Sequence, residues 1–219
     1  SKSGRMNWDD QILTTKAAAD VIGSGQLIAE GVSYTAKKTF ELLTIYSGND
    51  AAVAFADHIA GSEEEFAKLM NETAKKLGLS EKSRFINATG LSRKDMGSYA
   101  PKTLQGETLL TALDAARLAR ALILEHPEVL EFTKIPQLKF NEKDSKPMVN
   151  WNWMLEGNKD NVNLRKYAYE GLDGLKTGHT SDAGYCFTGT AERNGMRLIS
   201  VVMGATSEDA RFMETRKLL

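Results

Sequence analysis

Residues 171–205, GLDGLKTGHTSDAGYCFTGTAERNGMRLISVVMGA, decide the fold class. Two runs rich in Val, Ile, Tyr and Phe flank Asn194-Gly195, and Asn-Gly is the strongest short hairpin signal because both positions accept positive φ. Residues 184–193 and 196–204 are therefore expected to pair as antiparallel strands. Lys176, Thr177 and Gly178 stand just before the first run, which places them on or beside the same sheet.

Upstream of the hairpin the pattern turns helical. In SYTAKKTFELLTIY (33–46) a cap candidate at Thr35 and an apolar stripe with Phe40 and Leu43 predict an amphipathic helix ending near Ser47. DAAVAFADHIA (50–60) is apolar nearly all round, as expected of a helix buried in a domain. Ser62 and Glu65 form a capping box; Phe66, Leu69, Met70 and Leu77 share a face, and Gly78 supplies the stop. Residues 84–107 read as loop. Leu109, Ala112, Leu113, Ala116 and Ile123 mark a further helix up to Pro127, which opens one more short turn. From Gln137 to Glu170 the chain is polar and irregular around Trp151 and Trp153, which read as residues of a short strand rather than as a surface stacking on a ligand. SEDARFMETRKLL (207–219) closes the chain as a helix with Phe212 and Leu218 among its apolar positions. Helices first and an antiparallel hairpin last predict an α+β domain whose helices pack against one sheet. Residues 1–135 are its mainly helical part, and 136–219 supply loops, hairpin and closing helix.

Composition narrows the ligand class. With 42% hydrophobic residues in 219 the chain can bury a core, and 28 Lys+Arg against 29 Asp+Glu give a net charge of -1. That balance creates no basic field for nucleic acid or an anionic membrane, so small ligands are the expected partners. Cys186 has no internal disulfide partner, and the three histidines are too scattered for a zinc cluster; no metal or cofactor is expected. His58 and His126 read as ordinary helix residues and Cys186 as a small buried strand residue.

Three groups can carry chemistry, and each has an ordinary alternative. Ser47-Gly48-Asn49 can project two polar side chains from a tight turn, or can simply cap a helix. Lys176-Thr177-Gly178 offers a point charge, a hydroxyl and an uncrowded strand backbone, or is an edge strand whose lysine discourages aggregation. Arg211 can grip a carboxylate, or is a solvated surface charge.

In this order, YSGNDAA and DGLKTGHTSDAGYC look like the second and third of the SxxK, SDN and KTG motifs of serine β-lactamases and penicillin-binding proteins. The flanking SGNDAAVAFADHIAGSEEEFAKLMNETAKKLGL, INATGL and ARFMETRKLL resemble the low-molecular-mass penicillin-binding proteins that are D-alanyl-D-alanine carboxypeptidases. The resemblance runs over nearly the whole chain. It implies a β-lactamase/transpeptidase-like fold, incomplete at the N-terminus, and an acyl-enzyme mechanism on peptidoglycan stem peptides ending in D-Ala-D-Ala, with β-lactams as inhibitors. It implies that Ser47 passes a proton to the leaving amine and that Asn49 orients a lysine and the substrate amide. Lys176 then sets an electropositive environment, Thr177 and Arg211 bind the terminal carboxylate beside Gly178, and the His179 amide joins the oxyanion hole. Ser47, Asn49 and Lys176 are expected to converge.

The family's first motif, SxxK, carries the nucleophile, and no serine in these residues precedes a lysine by three. Ser33 and Lys37 are one residue too far apart, and Thr35 with Lys38 has the wrong hydroxyl. The opening SKSGRMNWDDQI resembles the segment following the nucleophile's helix, and relatives continue past ETRKLL. The chain is thus expected to be an excerpt that exposes apolar surface or associates with another chain. Resemblance also implies an extracytoplasmic location, with any membrane association through other segments. Two further readings stand beside the carboxypeptidase: a binding module for D-alanyl peptides, and a β-lactamase, for which no ExxLN-like loop is found.

Overall fold

The computed structural model describes residues 6–219; residues 1–5 of the opening segment lie outside the described residues. Two compact units result. One takes the described residues up to Thr73 with Arg84–Leu109 and Phe140–Ser145; the other takes Ala74–Ser83, Leu110–Lys139 and Lys146–Leu219.

In the first unit β1 (Gln11–Leu13) pairs antiparallel with β2 (Ser33–Thr35), and α1 (Lys16–Asp20) follows β1. α2 (Ala36–Ile45) starts as the spacing predicts, the Thr35 hydroxyl accepting from Lys38 N at 3.2 Å. Its buried stripe is Ala36, Thr39, Leu42 and Ile45 rather than Phe40 and Leu43. Two overlapping stripes exist in this window, and packing against the next helix selects the more aliphatic one. Phe40 closes the edge instead, its ring 5.5 Å from Trp8 and 6.4 Å from Phe55.

α3 (Asn49–Ala60) is buried from Asp50 through Ala56, packed on α1, α2 and β1. Its last turn emerges beyond those neighbours, so His58 and Ile59 are exposed and burial throughout is not observed. α4 (Glu63–Lys76) begins with Ser62 Oγ accepting from Glu65 N at 3.2 Å, while Glu65 turns outward to Lys68 at 2.6 Å; half the capping box forms. Leu69 is exposed, while Ala67 and Ala74 are buried. Gly78, at φ +70, stops the helix, and Leu79 N returns to Ala74 O at 3.0 Å. Within 84–107 only α5 (Arg93–Met96) and a 3-10 turn form.

The second unit holds the larger sheet. α6 (Ala112–Glu125) buries Asp114, Ala115, Ala119 and Ile123, whereas Leu113 is 62% exposed and Leu109 precedes the helix. The sequence pattern misplaces this face because Asp114 is buried despite its charge: its carboxylate accepts from Ser80 N, Ser80 Oγ and Ser83 Oγ. α7 (Val129–Thr133) follows Pro127, and β3 (Gln137–Leu138) pairs with β4 (Met148–Val149). Trp151 and Trp153 lie beyond β4 on no strand. Asparagine side chains take the ladder's place there, Asn150 Oδ1 accepting from Asn152 N at 2.9 Å and Asn152 Oδ1 from Met154 N at 3.2 Å.

β5 (Leu172–Thr180), β6 (Gly184–Arg193) and β7 (Met196–Ala205) form an antiparallel sheet in chain order, and Arg193 faces Met196 across Asn194-Gly195 as expected. α8 (Glu208–Leu218) and α6 pack on β6 and β7, and α7 packs on β5. The core of this unit gathers Met154, Leu155, Tyr167, Leu172, Phe187, Ala191 and Phe212, with Trp153 packed against it. Leu218 is 59% exposed, since Phe212 already fills the face of α8 against the sheet, and Cys186 is half-buried. Helices and antiparallel sheets make the fold α+β: one three-stranded sheet and two separate two-stranded ribbons among the described residues.

Candidate active site

The Ser47 turn belongs to the first unit. Ser47 has φ +61, a left-handed conformation that costs a non-glycine residue on the order of 1–3 kcal/mol and is found at functional sites. The cap of α3 is Gly48, which makes no side-chain bond, so neither Ser47 nor Asn49 serves as the ordinary N-cap. A preceding loop, residues 22–28, is bound to the turn. Ser24 Oγ donates to Ser47 O at 2.5 Å, Asn49 N donates to Ser24 O at 2.8 Å, and Asn49 Nδ2 donates to Ile22 O at 2.8 Å. Sequence reasoning missed this loop. The available signal was Gly23-Ser24-Gly25, two glycines at φ +96 and +115 around a hydroxyl.

The second unit, taken by itself, holds an electropositive wall. Lys176, Thr177, Gly178 and His179 lie in order on β5, facing Thr188, Phe187, Cys186 and Tyr185 of β6. Lys176 is half-buried and donates from Nζ to Thr177 O at 2.8 Å. Burial, followed by the repulsion of the Arg211 guanidinium, presses its ammonium from 10.5 down to about 8. Thr177 is buried, while Gly178 is exposed with open space where a Cβ would stand. The His179 ring lies 4.1 Å from that of Tyr185.

Arg211 joins this wall from the first turns of α8, whose cap is Ser207, with Ser207 Oγ accepting from Ala210 N at 3.0 Å. It is 2% exposed, not the solvated charge of the alternative reading. Its Nη1 donates to Gly178 O at 3.3 Å, its Nη2 is 3.7 Å from Glu208, and its guanidinium lies 4.9 Å from the Phe212 ring centroid. Burial lowers its pKa. Arg211 Nε is buried with no hydrogen-bond partner among the described residues. Two desolvated cations on one wall, one with an unused donor, form an arrangement that an anion would complete. Among the described residues no group of His, Cys, Asp or Glu is placed to hold a metal ion.

A family model described as D-alanyl-D-alanine carboxypeptidase matches residues 1–207. The chain belongs to that family. D-alanyl-D-alanine carboxypeptidase DacF of Bacillus subtilis is 37% identical over 216 residues, 99% of this chain and 50% of that protein. DacC of Escherichia coli is 41% identical over 175 residues, 80% of this chain and 37% of its own length. Among solved structures, PBP3 of Streptococcus pneumoniae, a peptidoglycan synthesis regulatory factor, matches with TM-score 0.86 and 32% identity, over 99% of this chain and 60% of that one. Penicillin-binding protein D2 of Listeria monocytogenes in its ampicillin-bound form matches with TM-score 0.75 and 34% identity, over 97% of this chain and 76% of that one. The chain spans about half the length of DacF and a little over a third of DacC.

Proposed function

We propose that these residues are part of a serine D-alanyl-D-alanine carboxypeptidase that acts outside the cytoplasmic membrane on peptidoglycan stem peptides and is acylated by β-lactams at the same site. The observation that carries this reading is the wall formed by Lys176 and the buried Arg211, with Thr177 and the open backbone of Gly178 between them. A peptide's terminal carboxylate supplies the anion that this wall calls for.

The remaining roles follow the chemistry of acyl transfer. A serine oxygen attacks the carbonyl between the last two D-alanines, the C–N bond breaks, and the departing amine takes a proton delivered through Ser47. Asn49 orients the substrate amide, and the His179 backbone N–H supports the developing oxyanion. Water then opens the ester and frees the shortened peptide. Ser47 is not that nucleophile, since Asp50 stands where an SxxK lysine would, so we assign attack to a segment bearing SxxK. Among the described residues no helix is long and apolar enough to cross a membrane.

The test measures D-alanine release by the complete enzyme from a pentapeptide ending in D-Ala-D-Ala and from its C-terminal amide. The acid should be strongly preferred, and Arg211→Ala should remove most of that preference, about 1.5–3 kcal/mol. Equal turnover of acid and amide by the unsubstituted enzyme contradicts the assignment of the wall, and rapid nitrocefin turnover would identify a β-lactamase instead.

A further inference from the structure

We propose that Asp50 is a positioning residue that sets the Ser47 and Asn49 side chains by latching the loop 22–28 onto their turn. The inference rests on the functional reading above, because it names what holds that half of the site in place.

Asp50 is 1% exposed, a carboxylate within the otherwise apolar start of α3. Burial of such a charge demands donors, and all of the recorded ones are backbone. Its Oδ2 accepts from Leu27 N at 2.9 Å and Ile28 N at 3.4 Å, and its Oδ1 accepts from Ala51 N at 2.8 Å. Glycines on both segments let their backbones close on that carboxylate. A Cβ on Gly25 would stand 2.2 Å from Asp50 Oδ1, and one on Gly48 2.7 Å from the same oxygen. The carboxylate therefore lies flush against the loop backbone on one side and the turn on the other.

Its influence on the site runs through carbonyls that the loop presents. Ser24 O takes the Asn49 amide, and Ile22 O takes Asn49 Nδ2, which fixes the plane of the side-chain amide and the direction of its oxygen and second N–H. Ser24 Oγ holds the carbonyl of Ser47. The loop's own backbone is not a relaxed one: Gly23, Gly25 and Gln26 all have positive φ, at +96, +115 and +62, a run that needs contacts to impose it. Asp50 supplies those contacts at Leu27 and Ile28, and the positions of Asn49 and Ser47 follow.

The test uses the complete enzyme and the rate of penicillin acylation at a temperature where each variant is folded by circular dichroism. Asp50→Asn keeps the size and one acceptor oxygen, yet should slow acylation on the order of a hundredfold, the cost of a misplacement near 1 Å. Gly25→Ala attacks the same contact from the loop side and should slow it similarly. The double variant should be little slower than either single one, since both break one latch. Asp114→Asn, at another buried carboxylate, held by Ser80, Ser83 and Arg117, should lower the melting temperature and leave acylation by folded molecules unchanged. Acylation by Asp50→Asn at the unsubstituted rate, fully additive effects, or equal slowing by Asp114→Asn would overturn the proposal. An unsubstituted enzyme that takes up no penicillin would overturn the functional reading and this role with it, an outcome told apart because no variant then has a rate to lose.

Discussion

Replacing Lys176 by methionine should make the protein more stable while disabling it. The lysine is half-buried on β5, and its ammonium is pressed from 10.5 to about 8 by burial and by Arg211, so at neutral pH the folded state carries a charge it disfavours. At about 1.4 kcal/mol per pKa unit, that gap is worth about 3 kcal/mol. Losing the hydrogen bond from Nζ to Thr177 O offsets about 1.5 kcal/mol, the low end for a charged donor. A net gain of about 1–2 kcal/mol remains, a few degrees in Tm for a protein of this size. The sign of the pH dependence is fixed as well. Between about 8 and 10.5 the unfolded lysine binds a proton that the folded one has released, so the unsubstituted protein gains stability as pH rises. Methionine cannot titrate, so the advantage of the variant should shrink above about pH 8, pass through zero about one pH unit higher, and reverse in favour of the unsubstituted protein by about 10.5. Thermal unfolding of both proteins across that range is the assay. A variant that is less stable at neutral pH, or an advantage that does not change with pH, refutes the reasoning. The same variant should lose acylation, a stability gain set against function.

Other substitutions probe the framework that carries the site. Phe212→Ala removes a ring that is 1% exposed and sits 5.4 Å from both Trp153 and Phe187; it should cost about 3–5 kcal/mol in denaturant unfolding. Gly171 has φ +74, and a Cβ there would stand 2.1 Å from Glu192 O, so Gly171→Ala should cost more than about 1 kcal/mol by the same measurement. Asp114 has its carboxyl held well below the usual range by Ser80, then Ser83. Its contribution is present above the unfolded carboxylate pKa near 4 and is lost as pH falls below it, so Asp114→Asn should flatten the acid side of the stability profile.

What the sequence revealed, and what it did not, follows from which forces were local. Asn194-Gly195 dictates a hairpin by backbone conformation alone, and β6 and β7 meet where the dipeptide puts them. The cap at Thr35, the Ser62 half of the capping box and the stop at Gly78 are likewise local, and they hold. Faces of helices fared worse, because a face is chosen by the partner. Asp114 lies off the apolar stripe of the pattern, yet donors from Ser80, Ser83 and Arg117 satisfy its carboxylate, and the buried face of α6 takes in Asp114 and leaves Leu113 outside. Trp151 and Trp153 mimicked a strand by period, while the asparagines between and beside them imposed turns through their own side chains. At the site, Lys176 on its strand was legible, and so was Arg211 as a candidate; its burial and its unpaired Nε were not, since both depend on how α8 meets β5. Asp50 went unnoticed inside a run of alanines, although a charge in an all-apolar helix must find donors somewhere.

The central claim is that these residues supply the proton-transfer and carboxylate-binding groups of an acyl enzyme whose nucleophile carries SxxK. Its most direct test is to treat the complete enzyme with a penicillin, digest it and locate the penicilloyl group by mass. The account predicts one adduct, on a serine followed three residues later by lysine, and none on any serine among the 219 residues described by this sequence. An adduct on Ser47, or on any other serine of this chain, would contradict it.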